Sequence, residues 1–196
     1  TSVASGTVMI TATSGSVSKA ATTTVTQVAS SVTLSPTSLS FASLADTATL
    51  AATVKDAGGS VISGATVTWA TSAASVATVS SAGLVTAVAT GSATITATSG
   101  SASGSASVTV TQVASSVTLS PTSLSFASLA DTATLTATVK DAAGSVISGA
   151  TVTWATSNSF IATVTSGGGL VTSVASGTVM ITATSGSVSK AATTTV

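Results

Sequence analysis

The sequence contains no cysteine, histidine, arginine, glutamate or tyrosine, and only 4% of its 196 residues are charged. All four cations are lysines (Lys19, Lys55, Lys140, Lys190) and all four anions are aspartates (Asp46, Asp56, Asp131, Asp141), so the formal net charge is zero. Each absence removes a kind of chemistry. Without Cys or His, the usual zinc, copper and iron sites have no donors. Without His or Glu, proton transfer would rest on a few Asp and Lys side chains. Without Arg or a positive net charge there is no electrostatic footprint for nucleic acid. Thr, Ser and Gly interrupt every hydrophobic stretch well short of the roughly 18 residues that a membrane-spanning helix needs. No cofactor, nucleic-acid partner or membrane insertion is expected. The lack of Cys leaves the redox compartment open.

What remains is small and β-branched. The chain holds 42 Thr and 39 Ser beside 44% hydrophobic residues. Disordered chains are poor in β-branched residues and rich in charge, whereas Val, Ile and Thr suit a pleated, half-buried strand. An all-β fold is expected. The sequence starts without an initiating Met, leader or tag, and reads as a window on something longer.

Internal repetition organises the chain. The string that begins at Thr26 recurs at Thr111, and from Thr26 to Ser72 the two copies differ only at Ala51/Thr136 and Gly58/Ala143. An extra Gly in Ser166-Gly167-Gly168-Gly169 shifts the later offset from 85 to 86. Residues 1–25 are identical to residues 172–196, an offset of 171. The reading is therefore the C-terminal strands of a preceding repeat (1–25), a first domain (26–110) and a second domain (111–196). A lone hairpin is marginal in water, so residues 1–25 are expected to pair with a preceding domain, in the same polypeptide or in a neighbouring chain.

Within each unit, turn signals recur about every 8–12 residues, the pattern of a sandwich. In the first unit the spacing predicts strands near 31–34, 39–42, 48–55, 65–71, 76–80, 84–88, 92–98 and 106–110. Period-2 alternation puts Leu50, Ala52 and Val54 on one face, Val67 and Trp69 on another, then Ala93, Ile95 and Ala97. Turns fall at Lys55-Asp56-Ala57-Gly58-Gly59, Ser81-Ala82-Gly83 and Ser99-Gly100. Pro36 and Pro121 fit an edge strand that switches sheets.

These motifs carry a resemblance. Val32-Thr33-Leu34-Ser35-Pro36, Thr53-Val54-Lys55-Asp56, Gly64-Ala65-Thr66-Val67-Thr68-Trp69, Val76-Ala77-Thr78-Val79, Gly83-Leu84-Val85-Thr86 and Gly91-Ser92-Ala93-Thr94-Ile95-Thr96-Ala97 follow in order, and the series occurs twice. The chain resembles the bacterial immunoglobulin-like domain of group 2 over nearly its whole length. The resemblance implies tandem Ig-like β-sandwiches of the kind found on bacterial surface proteins, adhesins and phage particles, and as spacers in secreted enzymes. It implies no catalytic site.

Candidate sites are few. Trp69 and Trp154 could stack on sugar rings, but each sits on an alternating strand at the place of the Ig core Trp and is expected to pack inside. Asp46, Asp56 and their copies Asp131 and Asp141 are single carboxylates in their loops, short of the several that calcium requires, and are read as solvated turn residues. No metal or catalytic residue is assigned, because a Ser nucleophile would have only Lys as a base. Asn158 precedes Ser159-Phe160 and is no N-glycosylation acceptor. Outward Ser and Thr could carry O-linked glycans.

The two units differ most tellingly where Ser75, Thr94 and Ala102 become Phe160, Met180 and Val188, with Met9 repeating Met180. Exposed apolar side chains that accumulate on one domain mark contact surfaces. Phe160, Met180, Val188 and Met9 are therefore the candidate assembly contacts, with neighbouring copies of the same repeat as the expected partner, in the same chain or in a homo-oligomeric fibre. A sandwich with so few charges to guard its edges is tolerable when glycan-coated or held in an ordered fibre. The expected role is a non-enzymatic structural repeat of an extracellular, cell-surface stalk, fibre or filament. An adhesin or carbohydrate-binding module is the alternative.

Overall fold

A computed structural model describes residues 5–196, and every regular element among them is a strand. The first two, β1 (Gly6–Ser14) and β2 (Val17–Val25), form a hairpin that pairs with no other strand. Domain 1 follows with β3 (Ser31–Ser35), β4 (Ser38–Phe41), β5 (Thr47–Thr49), β6 (Ala51–Lys55), β7 (Thr68–Thr71), β8 (Ala77–Val79), β9 (Leu84–Ala87), β10 (Gly91–Ser99) and β11 (Ala102–Val110). Domain 2 repeats the series with β12 (Ser116–Ser120), β13 (Ser123–Ser125), β14 (Thr132–Thr134), β15 (Thr136–Lys140), β16 (Thr153–Thr156), β17 (Ala162–Val164), β18 (Leu170–Ser173), β19 (Thr178–Ser185) and β20 (Val188–Thr195).

Each domain is a two-layer sandwich. In domain 1 one layer runs β4-β11-β10-β7, and facing it stand the pair β3-β6 and the triplet β5-β9-β8. Domain 2 reproduces this with β13-β20-β19-β16 opposite β12-β15 and β14-β18-β17. The chain changes layers at the proline: β3 pairs antiparallel with β6, then, past Pro36, β4 pairs parallel with β11.

Alternation fills the space between layers. Val32 and Leu34 from β3, Ile95 and Ala97 from β10, and Val108 and Val110 from β11 are buried together with Leu50, Val54 and Val85. Their neighbours along each strand are mostly Ser and Thr turned to solvent. Complete burial of one such Val, Leu or Ile contributes about 1.5–3 kcal/mol. Trp69 and Trp154 are half-buried and pack against the two cores. Their rings lie over glycines: a Cβ at Gly83 would stand 2.9 Å from Trp69 Cζ2, and one at Gly169 would stand 2.8 Å from Trp154 Cζ2. Both glycines have positive φ, +79° and +66°. The extra glycine of domain 2 is absorbed ahead of that position, where Gly167 meets nothing.

Three strand expectations need adjustment. The stretch 48–55 is two strands, because the Leu50 amide ends the β5–β9 register on Gly83 O at 2.9 Å and from Ala51 onward the chain pairs with β3 instead. The stretch 65–71 is a strand only from Thr68, which faces Thr98, next to the end of β10 at Ser99. The last strand starts at Ala102 rather than Ala106, since β10 and β11 pair along their full length around Gly100-Ser101.

Candidate functional site

The junction between the domains holds the chain's one buried carboxylate among the described residues, Asp141. The turn after β15 folds around a carboxylate: Asp141 N donates to Ser145 O at 2.9 Å, and Ser145 N donates to Asp141 Oδ1 at 2.8 Å. The other oxygen, Oδ2, faces domain 1. It accepts Gln112 Nε2 at 2.9 Å and the Leu44 amide at 3.0 Å. Leu44 belongs to a loop held in shape by Asp46, whose Oδ2 accepts Ser43 N at 3.1 Å, and by Ala45, which adopts φ 63° and donates to Ala87 O at 2.9 Å.

The connecting segment, residues 111–115, is bonded on both sides. Thr111 N and Val113 N donate to Phe41 O and Ala42 O of domain 1, each at 2.9 Å. Gln112 and Ser115 turn the other way, Ser115 N reaching Lys140 O at 2.8 Å. The first part of the segment is thus bonded to domain 1 and its end to domain 2, so five residues stitch two domains. A crevice of about 370 Å³ remains beside the stitch, lined by Ala42, Ser43, Val113, Ala142 and Val188 among others.

Asp141 is buried at 2% exposure, which corrects its reading as a solvated turn residue. The reason is the neighbouring domain: in a turn that differs only by Gly58 in place of Ala143, Asp56 is only half-buried. Asp56 accepts Gln27 Nε2 at 2.8 Å, Ser60 N at 2.9 Å and Gly58 N at 3.0 Å, but no amide from another domain among the described residues. Both carboxyls are held below their ordinary range. At Asp56 the Gln27 bond is the main cause, followed by Ser60. At Asp141 the Gln112 bond leads, with burial opposing it and the Leu44 and Ser145 amides adding to it. One signal in the sequence marked this site. The chain has only two Gln, Gln27 and Gln112, each 29 residues before its Asp.

The four candidate assembly residues are not brought together at the junction. Phe160 is 82% exposed on the turn after β16, where its amide bonds Asn158 Oδ1 at 3.0 Å, so it takes no part in the contact between domains. Met180 is 41% exposed; its amide bonds Ser157 Oγ at 3.1 Å, and its Sδ accepts Thr193 Oγ1 at 3.6 Å. Val188 is half-buried, packs on the core of its own domain and lines the crevice. Met9 is 69% exposed on the free hairpin. Among the described residues, no three acidic side chains gather as metal ligands and no helix is long and apolar enough to cross a membrane.

The profile of the bacterial Ig-like domain (group 2) matches residues 28–110 and 113–196. No curated protein matches. Among solved structures, domains 1–6 of the surface layer protein SbsC align at 23% identity and a TM-score of 0.41, over 96% of this chain and 32% of that one. The chain thus spans about a third of that structure. The Escherichia coli adhesin FdeC aligns at 20% identity and a TM-score of 0.44, covering 97% and 74%. The Yersinia pseudotuberculosis adhesin InvE aligns at 15% identity and a TM-score of 0.42, covering 84% and 58%.

Proposed function

Because the chain belongs to the bacterial Ig-like domain (group 2) family, we propose that it serves as a non-enzymatic structural repeat of an extracellular surface stalk, fibre or filament. One observation carries this reading. In a nearly uncharged chain, one of the four carboxylates and one of the two Gln fix one domain to the next, through Asp141, Gln112 and the Leu44 amide. A connection bonded on both sides transmits position from domain to domain, as a stalk requires and a flexible tether does not. The outer Ser and Thr coat offers sites for O-linked glycans.

Immunogold labelling of the intact source bacterium tests the location, and negative-stain microscopy of the chain tests the shape. Label on intact cells and elongated particles of constant inter-domain angle are expected. Label appearing only after lysis overturns the surface role. The exposed Phe160 favours a second reading, an adhesin. Binding on a glycan array that disappears in Phe160→Ser would put that reading first.

A further inference from the structure

Between Thr26 and Ser72 domain 1 differs from domain 2 at only two places, so the first five strands of each sandwich offer nearly the same surface to a closing hairpin. Neighbours so alike risk pairing with each other's strands as they fold. The hairpins themselves, Gly91–Val110 and Gly177–Val196, differ at eight of their 20 positions. Four of the eight lie on the inner face: Ala93/Val179, Ala102/Val188, Gly104/Lys190 and Val108/Thr194. Among these residues of domain 1, Gly104 alone lacks a Cβ, and it lies where none fits. A Cβ there would stand 3.0 Å from the Val32 carbonyl carbon and closer still to its oxygen. The backbone of β3 runs directly against β11 at this point, which is a use that glycine has inside a strand.

In domain 2 the same strand sequence meets a different partner. β12 repeats β3 residue for residue and keeps its register, Val117 facing Val139 as Val32 faces Val54. Lys190 faces Ala183 as Gly104 faces Ala97. Because Lys190 carries a Cβ, the Val117 carbonyl stands farther from β20 than the Val32 carbonyl stands from β11. The wider corner shows in the neighbours: Ala102 is buried, whereas Val188 is half-buried and borders the crevice, and Lys190 itself is exposed. We propose that Gly104 and Lys190 decide which hairpin each sandwich accepts. Domain 1 takes β10–β11 and refuses β19–β20, whose Lys190 Cβ would run into the Val32 carbonyl. Domain 2, with its wider corner, accepts either hairpin. An exchange of hairpins between the two kinds of domain is reciprocal, so one refusal blocks it in both directions. The discrimination is steric, made by the first carbon of the side chain and not by its charge. It concerns how like domains stay apart while folding and does not depend on the stalk reading.

The test exchanges hairpins of equal length within the full chain and follows amide exchange along β9 and β18, which report domains 1 and 2 separately. With Gly91–Val110 replaced by the sequence of Gly177–Val196, β9 should lose its protection; the same replacement with Gly104 retained should restore it. The reverse replacement should leave β18 protected. A first chimera as protected as the native chain overturns the proposal, and so does one that Gly104 fails to rescue. A second arm refolds the full chain at high concentration. Lys190→Gly should raise the fraction of associated chains several-fold over the native chain, while Lys190→Ala, which keeps the Cβ and loses the charge, should not. No rise in Lys190→Gly, or an equal rise in both variants, overturns the steric rule.

Discussion

The hairpins β1–β2 and β19–β20 are a natural control: identical residues and register, different surroundings. In one, Ile181 is fully buried; in the other, Ile10 is 60% exposed. Both form paired strands, so β-branched composition and a Gly turn suffice for local structure. The opposing layer alone converts alternation into a core. The loops at the domain ends teach the same lesson, since Ser43 is buried under domain 2 while its copy Ser128 is exposed.

The largest effect should separate the hairpins most sharply. Ile181→Ala is expected to destabilise domain 2 by about 2–5 kcal/mol, whereas Ile10→Ala should stay within about 0.5 kcal/mol; urea unfolding of the whole chain measures both. Next comes the glycine turn of domain 2. Gly169→Ala, at φ +66° and against the Leu135 carbonyl and Trp154, should cost roughly 1–3 kcal/mol. Gly167→Ala, with open space around it, should leave calorimetric stability nearly unchanged.

A smaller effect has the opposite sign. Thr194 is fully buried and its Oγ1 has no partner among the described residues, while Val108 occupies the matching place in domain 1. Thr194→Val should therefore stabilise domain 2 by about 1–2 kcal/mol. Thr23→Val, on the exposed hairpin, should be neutral in the same calorimetry.

The subtlest change concerns the junction. The Asp141 carboxyl is lowered in the folded chain, so its contribution is complete above the unfolded value of about 4 and is lost as pH falls through the lowered one. Small-angle scattering should show the inter-domain angle constant at neutral pH and broadened in acid below about pH 4. Asp141→Asn should broaden it at neutral pH, with each domain still melting cooperatively.

Much of this was legible. Strand faces such as Ala93, Ile95 and Ala97 followed from alternation, and the layer switch at Pro36 from the proline. The change of partner after Leu50, within one layer, was hidden because the hydrophobic period continues unbroken across it. The junction was hidden for a different reason. Burial of Asp141 depends on an amide 97 residues away, and its turn differs from that of Asp56 only by Ala143 for Gly58, a change that does not foretell burial. Only the recurrence of Gln with Asp pointed there.

The parallel pairing of β4 with β11 has a mechanical consequence. A pull passed along neighbouring domains enters domain 1 ahead of β4 and leaves after β11. Because the two strands run the same way, tension drags them lengthwise past each other and loads their bonds together, in shear. Domain 1 grips with four register pairs, Ser38 to Phe41 against Ser107 to Val110. Domain 2 is built to the same plan, Ser123 to Ser125 against Thr193 to Thr195, with the Phe126 amide on Thr195 O at 2.9 Å. Each domain of such a series therefore resists a pull with its parallel bonds loaded at once rather than peeled one by one.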